Sequence, residues 1–221
     1  MKIKITESQF NLLINGLNNS LNESEMSDPL ISDIAPRVKK HEGYEELPYM
    51  DSVGKLTVGY GFNLTRSDAK DRLKEVGADY HKVVSKKQKL NSKQMEKLLL
   101  KDLNSSKENA QKIISNFNTL PKDVQGVIVE MIFNLGIGKF KQFKNFIKLI
   151  KGRNFKKASV EMMNSLWAKQ VGDRAKTLSN IIKNSKDDNL SLKTEPEKEI
   201  TPASTTLVKP TIIPFEKLPK Q

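Results

Sequence analysis

Residues 41–65, HEGYEELPYMDSVGKLTVGYGFNLT, are the one long stretch of this chain that reads as strand and turn rather than helix, and they limit the fold more than any other. Pro48 to Met50 lead into Asp51-Ser52-Val53-Gly54, a turn with Gly54 where a positive φ costs little. Leu56, Val58, Tyr60 and Phe62 then alternate with Thr57, Gly59, Gly61 and Asn63, a period of two that puts the two sets on opposite faces of a two-stranded hairpin. One face is apolar and its reverse nearly bare. Glycines weaken a strand unless a backbone or a ligand must come close. The bare face, carrying only Thr57 and Asn63, is therefore either a surface against which a ligand such as a sugar lies or an edge hairpin with glycines for a bulge.

Two acids flank this hairpin. Glu42 falls where a preceding helix meets it and Asp51 falls at its turn, so a single fold-back brings them across a narrow cleft. Glycosidic cleavage needs such a pair, one carboxylic acid to protonate the leaving oxygen and one carboxylate to direct water or attack. The bland readings are an Asp that simply forms a turn and a Glu solvated at a helix end.

The Glu42-Gly43, Asp51, Thr57-Val58-Gly59-Tyr60-Gly61 and Asn63-Leu64-Thr65 pattern resembles the Glu/Asp/Thr signature of the phage-type lysozymes, the T-even phage lysozyme family (glycoside hydrolase family 24). Phe133-Asn134-Leu135-Gly136 is similar to that family's motif at the far side of the cleft, and Trp167, Gln170 and Asp173-Arg174-Ala175-Lys176 resemble its carboxy-terminal segment. The likeness spans residues 34 to 184 in the right order. It implies an α+β, mostly helical, two-lobe fold in which a long helix joins a small hairpin-bearing lobe to a helical lobe. It also implies a muramidase that cuts the β-1,4 bond between N-acetylmuramic acid and N-acetylglucosamine with inversion. Glu42 would be the general acid, Asp51 and Thr57 would hold the attacking water, Asn63 and Phe133 would contact substrate, and Arg174 would orient Glu42. Many relatives carry His at the position of Phe62, where it makes a structural ion pair that cannot form here.

Composition narrows the alternatives. The chain has no cysteine, which excludes disulfides, thiol nucleophiles and thiolate zinc sites. Only His41 and His81 are present, so a histidine-rich metal site is not expected, and no cofactor is. The net charge of +12 is uneven: residues 36–184 carry 30 basic against 15 acidic groups, residues 1–35 carry 2 against 5, and residues 185–221 carry 6 against 6. Such a field draws a protein to peptidoglycan carboxylates and teichoic acids. The lysines are scattered among apolar residues with no aromatic stacking platform, so no specific nucleic-acid partner is expected.

Three segments are expected. Residues 1–28 read as an amphipathic helix and polar linker: Thr6-Glu7-Ser8-Gln9 is a capping-box-like entry, and Phe10, Leu13, Ile14, Leu17 and Leu21 follow at helical spacing. This helix packs on its own domain or docks onto a partner such as a virion component. It is too polar for a signal peptide or membrane span, so synthesis in the host cytoplasm and action on the wall after release are expected.

Residues 29–184 are the catalytic domain. A first helix with Pro36 in its first turn delivers Glu42; Ser67-Asp68 cap a short helix to Gly77; Lys82 to Lys89 form an exposed connection. A long helix opens at Ser92, with a bend possible at Asn104-Ser105-Ser106. The most apolar helix runs from Val124 to Leu135, with Val127, Ile128, Met131 and Ile132 central and Phe133 either stacking on sugar or joining the core. Phe140 to Ile150 and Asn154 to Trp167 each read as one helix, and Asp173 caps the last, to about Asn184.

Residues 185–221, with four prolines and balanced charge, read as a flexible tail or a docking peptide. The first functional reading is an endolysin-type or virion-borne muramidase, monomeric as is usual for the family. A non-catalytic glycan-binding or virion structural protein retaining the lysozyme body is the alternative, and a bacteriocin-like toxin a third.

Overall fold

The computed structural model describes residues 6–9, 28–51 and 54–186. Most of the expected amino-terminal helix and all but the first two residues of the expected tail lie outside these. The described part of the amino terminus forms the anticipated capping box, with Gln9 N donating to Thr6 Oγ1 and Thr6 N to Gln9 Oε1.

The described residues are mostly helical with one small antiparallel sheet. Helix α1, Pro29–Glu42, starts on Asp28, whose carboxylate accepts from the Leu30 and Ile31 amides. Pro29 is thus the first-turn proline, and Pro36 sits in the helix interior instead. It is tolerated because it is exposed, so the missing amide bond falls on the solvent side. Leu30, Ile31, Ile34, Ala35 and Val38 are buried, and the helix ends at Gly43, whose φ of 64° terminates it directly after Glu42.

The period-two reading of residues 56–62 as one strand is corrected by the structure. The sheet has three strands, β1 (Glu45–Met50), β2 (Leu56–Gly59) and β3 (Phe62–Asn63), in the order β1-β2-β3. Gly59 and Gly61, with φ of 62° and 84°, break the alternation and turn the chain through Tyr60. Thr57 consequently pairs with Tyr49 on one side and Asn63 on the other. The two glycines also divide the readings offered for the bare face. A Cβ on Gly59 would come within 3.2 Å of Met95 Cγ, a packing constraint, whereas one on Gly61 would lie 3.5 Å from Glu42 Oε2, beside the site.

Two short helices, α2 (Ala69–Glu75) and α3 (Tyr80–Val84), cover the sheet. Asp68 precedes α2 without capping it through its side chain, because both carboxylate oxygens are taken by Arg66 at 2.5 and 2.8 Å. Arg66 also lies 5.3 Å over the Phe62 ring and reaches Asp102 at 2.9 Å. An arginine four residues after Phe62 therefore ties the sheet to the long helix. The Lys82–Lys89 stretch is partly helical, with Val83 buried.

Helix α4, Ser92–Ile113, opens at Ser92 as expected and is capped by Asn91 and Gln94. It runs unbroken through Asn104-Ser105-Ser106, with the Ser105 and Ser106 hydroxyls turned onto the carbonyls of Lys101 and Asp102, one turn earlier in the helix. Met95 and Leu98 enter the apolar core under the sheet, with Val58, Phe62, Leu64 and Leu73, while Leu99, Leu103 and Ala110 enter the larger core of the helical lobe. One helix thus spans both cores.

Helix α5, Lys122–Leu135, is buried almost all round from Val124 to Ile132, as expected for the centre of a helical core. Beyond Gly136 the expected single helices are each divided: α6 (Ile137–Phe140) and α7 (Lys144–Lys151) flank a turn at Phe143, and α8 (Phe155–Met163) and α9 (Leu166–Val171) flank Ser165, whose hydroxyl caps α9. Helix α10, Asp173–Asn184, follows Gly172; Asp173 is its first residue and binds Lys176 rather than capping.

The crossing of α1 and α5 has no spare room. A Cβ on Gly126 would come within 2.8 Å of Ile34 Cγ2, a branched methyl that cannot swing aside. Gly126→Val is expected to destabilise the fold by about 3 kcal/mol, lowering the melting temperature by about 6–12 °C at 2–4 °C per kcal/mol, as measured by circular dichroism.

Candidate active site

A groove of about 730 Å³ runs between the sheet and the helical lobe. Five of the six residues singled out from sequence line it: Glu42, Asp51, Thr57, Asn63 and Phe133. The sixth, Arg174, stands behind Glu42. Phe133 is half-buried, packed on the helical core, and lines the groove.

Each side chain is set by a local device. The α1 terminus at Gly43 presents Glu42, which is 21% exposed. Its Oε1 accepts from Arg174 Nη1 at 2.5 Å, and its Oε2 lies along the wall made by Gly61. Arg174 is 8% exposed at the start of α10, so the ion pair spans two elements far apart in sequence. Asp51 closes its turn by accepting from Lys55 N at 2.7 Å on Oδ1, while its own amide donates to Lys55 O at 2.9 Å. Thr57 is buried, and its hydroxyl donates to the same Lys55 carbonyl at 3.1 Å. Lys55 backbone atoms thus fix both the carboxylate and the hydroxyl. Asn63 Oδ1 accepts from the Thr65 amide and hydroxyl at 2.8 and 2.7 Å, which orients its amide.

Behind the acid lies an ionic cluster that sequence reading missed. Glu130 on α5 is wholly buried; Arg37 Nε donates to its Oε1 at 2.6 Å, and Arg37 Nη2 pairs with the same oxygen. Burial pushes the Glu130 carboxyl above its ordinary range, against the pull of the Arg37 and Arg174 guanidiniums. His41 Nδ1 lies 3.8 Å from Glu130 Oε2. Burial, with Arg174 and Arg37 nearby, holds the His41 imidazole below its usual value.

The groove wall on α4 was missed as well. Asp102, Ser105, Ser106 and Asn109 all line it, with Arg66 held there by Asp102. Asp102, Ser106 and Asn109 fall at i, i+4 and i+7, a polar stripe whose spacing could have been recognised in the sequence as a second face of the helix. Trp167 is buried and donates through Nε1 to Asn134 Oδ1 at 2.8 Å, bracing the segment after Phe133.

A family model described as phage lysozyme matches residues 39–184. The chain is similar to two proteins of Dictyostelium discoideum. It is 27% identical to "Probable T4-type lysozyme 2" over 154 residues, covering 66% of this chain and 91% of that protein. To "Probable T4-type lysozyme 1" it is 29% identical over 164 residues, covering 69% and 95%. The matched region begins within α1 and ends with α10, so it takes in every groove residue named above.

Proposed function

The chain belongs to the phage lysozyme family, a family of peptidoglycan hydrolases, and on that premise we propose that it is an inverting muramidase of the endolysin or virion-borne type, cutting the β-1,4 bond between N-acetylmuramic acid and N-acetylglucosamine. The observation that carries this reading is the meeting of Glu42, Asp51 and Thr57 in one groove.

The groups suit one reaction. Glu42 donates its proton to the glycosidic oxygen as the bond to the anomeric carbon breaks, and Arg174 holds the carboxyl in one rotamer and stabilises the carboxylate left behind. Opposite, the single hydroxyl proton of Thr57 is committed to the Lys55 carbonyl, leaving the oxygen's lone pairs as acceptors. A water can then give one proton to Thr57 Oγ1 and the other to the Asp51 carboxylate, so that its own lone pair faces the anomeric carbon. Asp51 takes up the proton as the new C–O bond forms. Attack from the face opposite the leaving group inverts the centre, which requires room for that water between the carboxyls, roughly 6.5–9.5 Å in inverting enzymes. Phe133 offers an apolar ring to a sugar face, and Asn63 and the α4 stripe offer polar partners to hydroxyls and acetamido groups.

The purified chain should clear a suspension of bacterial walls and release reducing ends from them. Asp51→Asn keeps the acceptor for Lys55 N but loses the base, so reducing-end release should fall by about 10²–10⁴-fold. Unchanged release by this variant would remove Asp51 from the reaction. The alternative, a non-catalytic glycan-binding or virion structural protein, predicts binding to walls without release. A monomer, synthesised in the host cytoplasm and acting on the wall after release, completes the proposal, with residues 1–28 and 185–221 as candidate contacts to a virion component.

A further inference from the structure

Residues 131–160 contain eight basic side chains and no acidic one. The seven lysines among them are all exposed, whereas Arg153 is half-buried and donates to the Thr119 carbonyl. On α7, Lys144, Lys148 and Lys151 fall at i, i+4 and i+7 and are exposed, while Phe146 and Ile150 on the reverse are fully buried. Lys139 and Lys141 continue the exposed stripe towards one end, and Lys156 and Lys157, exposed in the first turn of α8, continue it at the other. Helix α8 packs against α7, so the two sets stand on neighbouring elements.

These lysines differ from others in the domain. Lys39, Lys101, Lys107 and Lys176 are paired with Glu96, Glu75, Asp28 and Asp173. Among the described residues, none of the seven lysines from 139 to 157 has a carboxylate partner. Like charges so close together repel one another, and nothing in the packing calls for them, since the apolar contacts of α7 are all on its other face. The stripe also begins beside the groove: Ile137 lines it, and Lys139 is two residues further on.

We propose that this α6–α8 face is a docking surface for the phosphodiester polymer of bacterial walls, a polyol-phosphate chain of the teichoic acid kind, which holds the enzyme on the wall while the neighbouring groove works on glycan. The proposal rests on the muramidase reading, because it is the wall that brings this polyanion to the groove. Three cations spaced along one helix match a linear polymer with a charge on every repeat. The face has no exposed aromatic ring on which bases could stack, and it is helix flank rather than a tracked groove, which disfavours single-stranded nucleic acid.

The test uses the full chain carrying Glu42→Gln, so that walls are not digested, in sedimentation with purified walls before and after hydrofluoric acid has removed the phosphodiester polymer. At low salt, binding should be strong to intact walls and weak to stripped ones, and should decline as salt rises. A lysine beside an anionic surface contributes about fivefold in affinity. The triple variant Lys144→Glu, Lys148→Glu, Lys151→Glu should therefore bind intact walls at least ~100-fold more weakly, and the Gln counterpart should follow in the same direction, with melting temperatures near that of the parent. Equal binding to stripped and intact walls, a triple variant that binds as its parent does, or preference for duplex DNA over intact walls would each overturn the proposal. In a background with Glu42 intact, reducing-end release from stripped walls should be the same with and without the triple change. If neither protein releases any, the muramidase reading fails while the docking result still stands on its own measurement.

Discussion

Glu42→Gln should reduce reducing-end release from bacterial walls by about 10²–10⁴-fold, the range that a positioned general acid supplies, while the melting temperature stays within a few degrees of wild type. Gln has nearly the shape of Glu and still offers an oxygen to Arg174 Nη1, so the α1–α10 contact survives the change. It also leaves Gly61 its clearance beside the side chain. What disappears is the proton that must reach the leaving oxygen, for which no other carboxyl in the groove is similarly held: Asp51 is fixed by Lys55 at the sheet turn, and Asp102 is occupied by Arg66 and Arg72 at 2.9 and 2.7 Å. The comparison with thermal unfolding separates chemistry from folding, since a loss of activity accompanied by a large drop in melting temperature would speak only for structure.

Glu130→Ala should produce the largest loss of stability, about 3–5 kcal/mol, because it strips one partner from a buried pair and leaves a cavity at the centre of α5. At 2–4 °C per kcal/mol this lowers the melting temperature by about 6–20 °C. A double change, Arg37→Met with Glu130→Leu, should recover most of the deficit, since two apolar side chains of similar volume need no partners. The pH dependence has a definite sign. The folded-state pKa of Glu130 is raised above its ordinary 4.5, so its proton-linked contribution is fully present below 4.5 and is lost as pH rises through the folded value. The deficit of the alanine variant should therefore be greater below pH 4.5 than at neutrality, as measured by denaturant unfolding. An alanine variant as stable as wild type would mean that neither the pairing nor the volume of Glu130 adds net stability.

The parts of the fold that were legible in the sequence are those in which one residue pattern answers to one local force. The stripe of Met95, Leu98, Leu99 and Leu103 identifies α4, and the apolar run from Val124 to Ile132 identifies the central helix, because burial alone decides both. The errors come where two local rules compete. Leu56 to Phe62 has the period of a strand, yet Gly59 and Gly61 allow the positive φ that folds it into β2, a turn and β3. Phe143 and Ser165 sit within apolar runs that look continuous, and the chain turns at each of them so that the helices on either side can face the same core.

The site divides in the same way. Glu42, Asp51 and Thr57 were found because the chemistry and the family pattern both mark them, and one groove receives all three. Glu130 was missed because it lies in a helix read for its apolar residues, and its partners Arg37 and His41 come from an element 89 or more positions earlier in the chain. A buried charge is decided by what packs against it, and a linear pattern does not carry that. The α4 stripe could have been found, since Asp102, Ser106 and Asn109 have helical spacing; reading Asn104-Ser105-Ser106 as a bend hid it.

The central claim, an acid and a water-holding base on opposite sides of one glycosidic bond, is tested most directly by proton nuclear magnetic resonance of the first product released from purified, uncrosslinked glycan strands. The account expects the new N-acetylmuramic acid reducing end to appear first as the α anomer, before mutarotation mixes the two. First appearance of the β anomer would mean that Asp51 or another group attacks the sugar directly, and absence of any new reducing end would mean that the groove does not hydrolyse glycan at all.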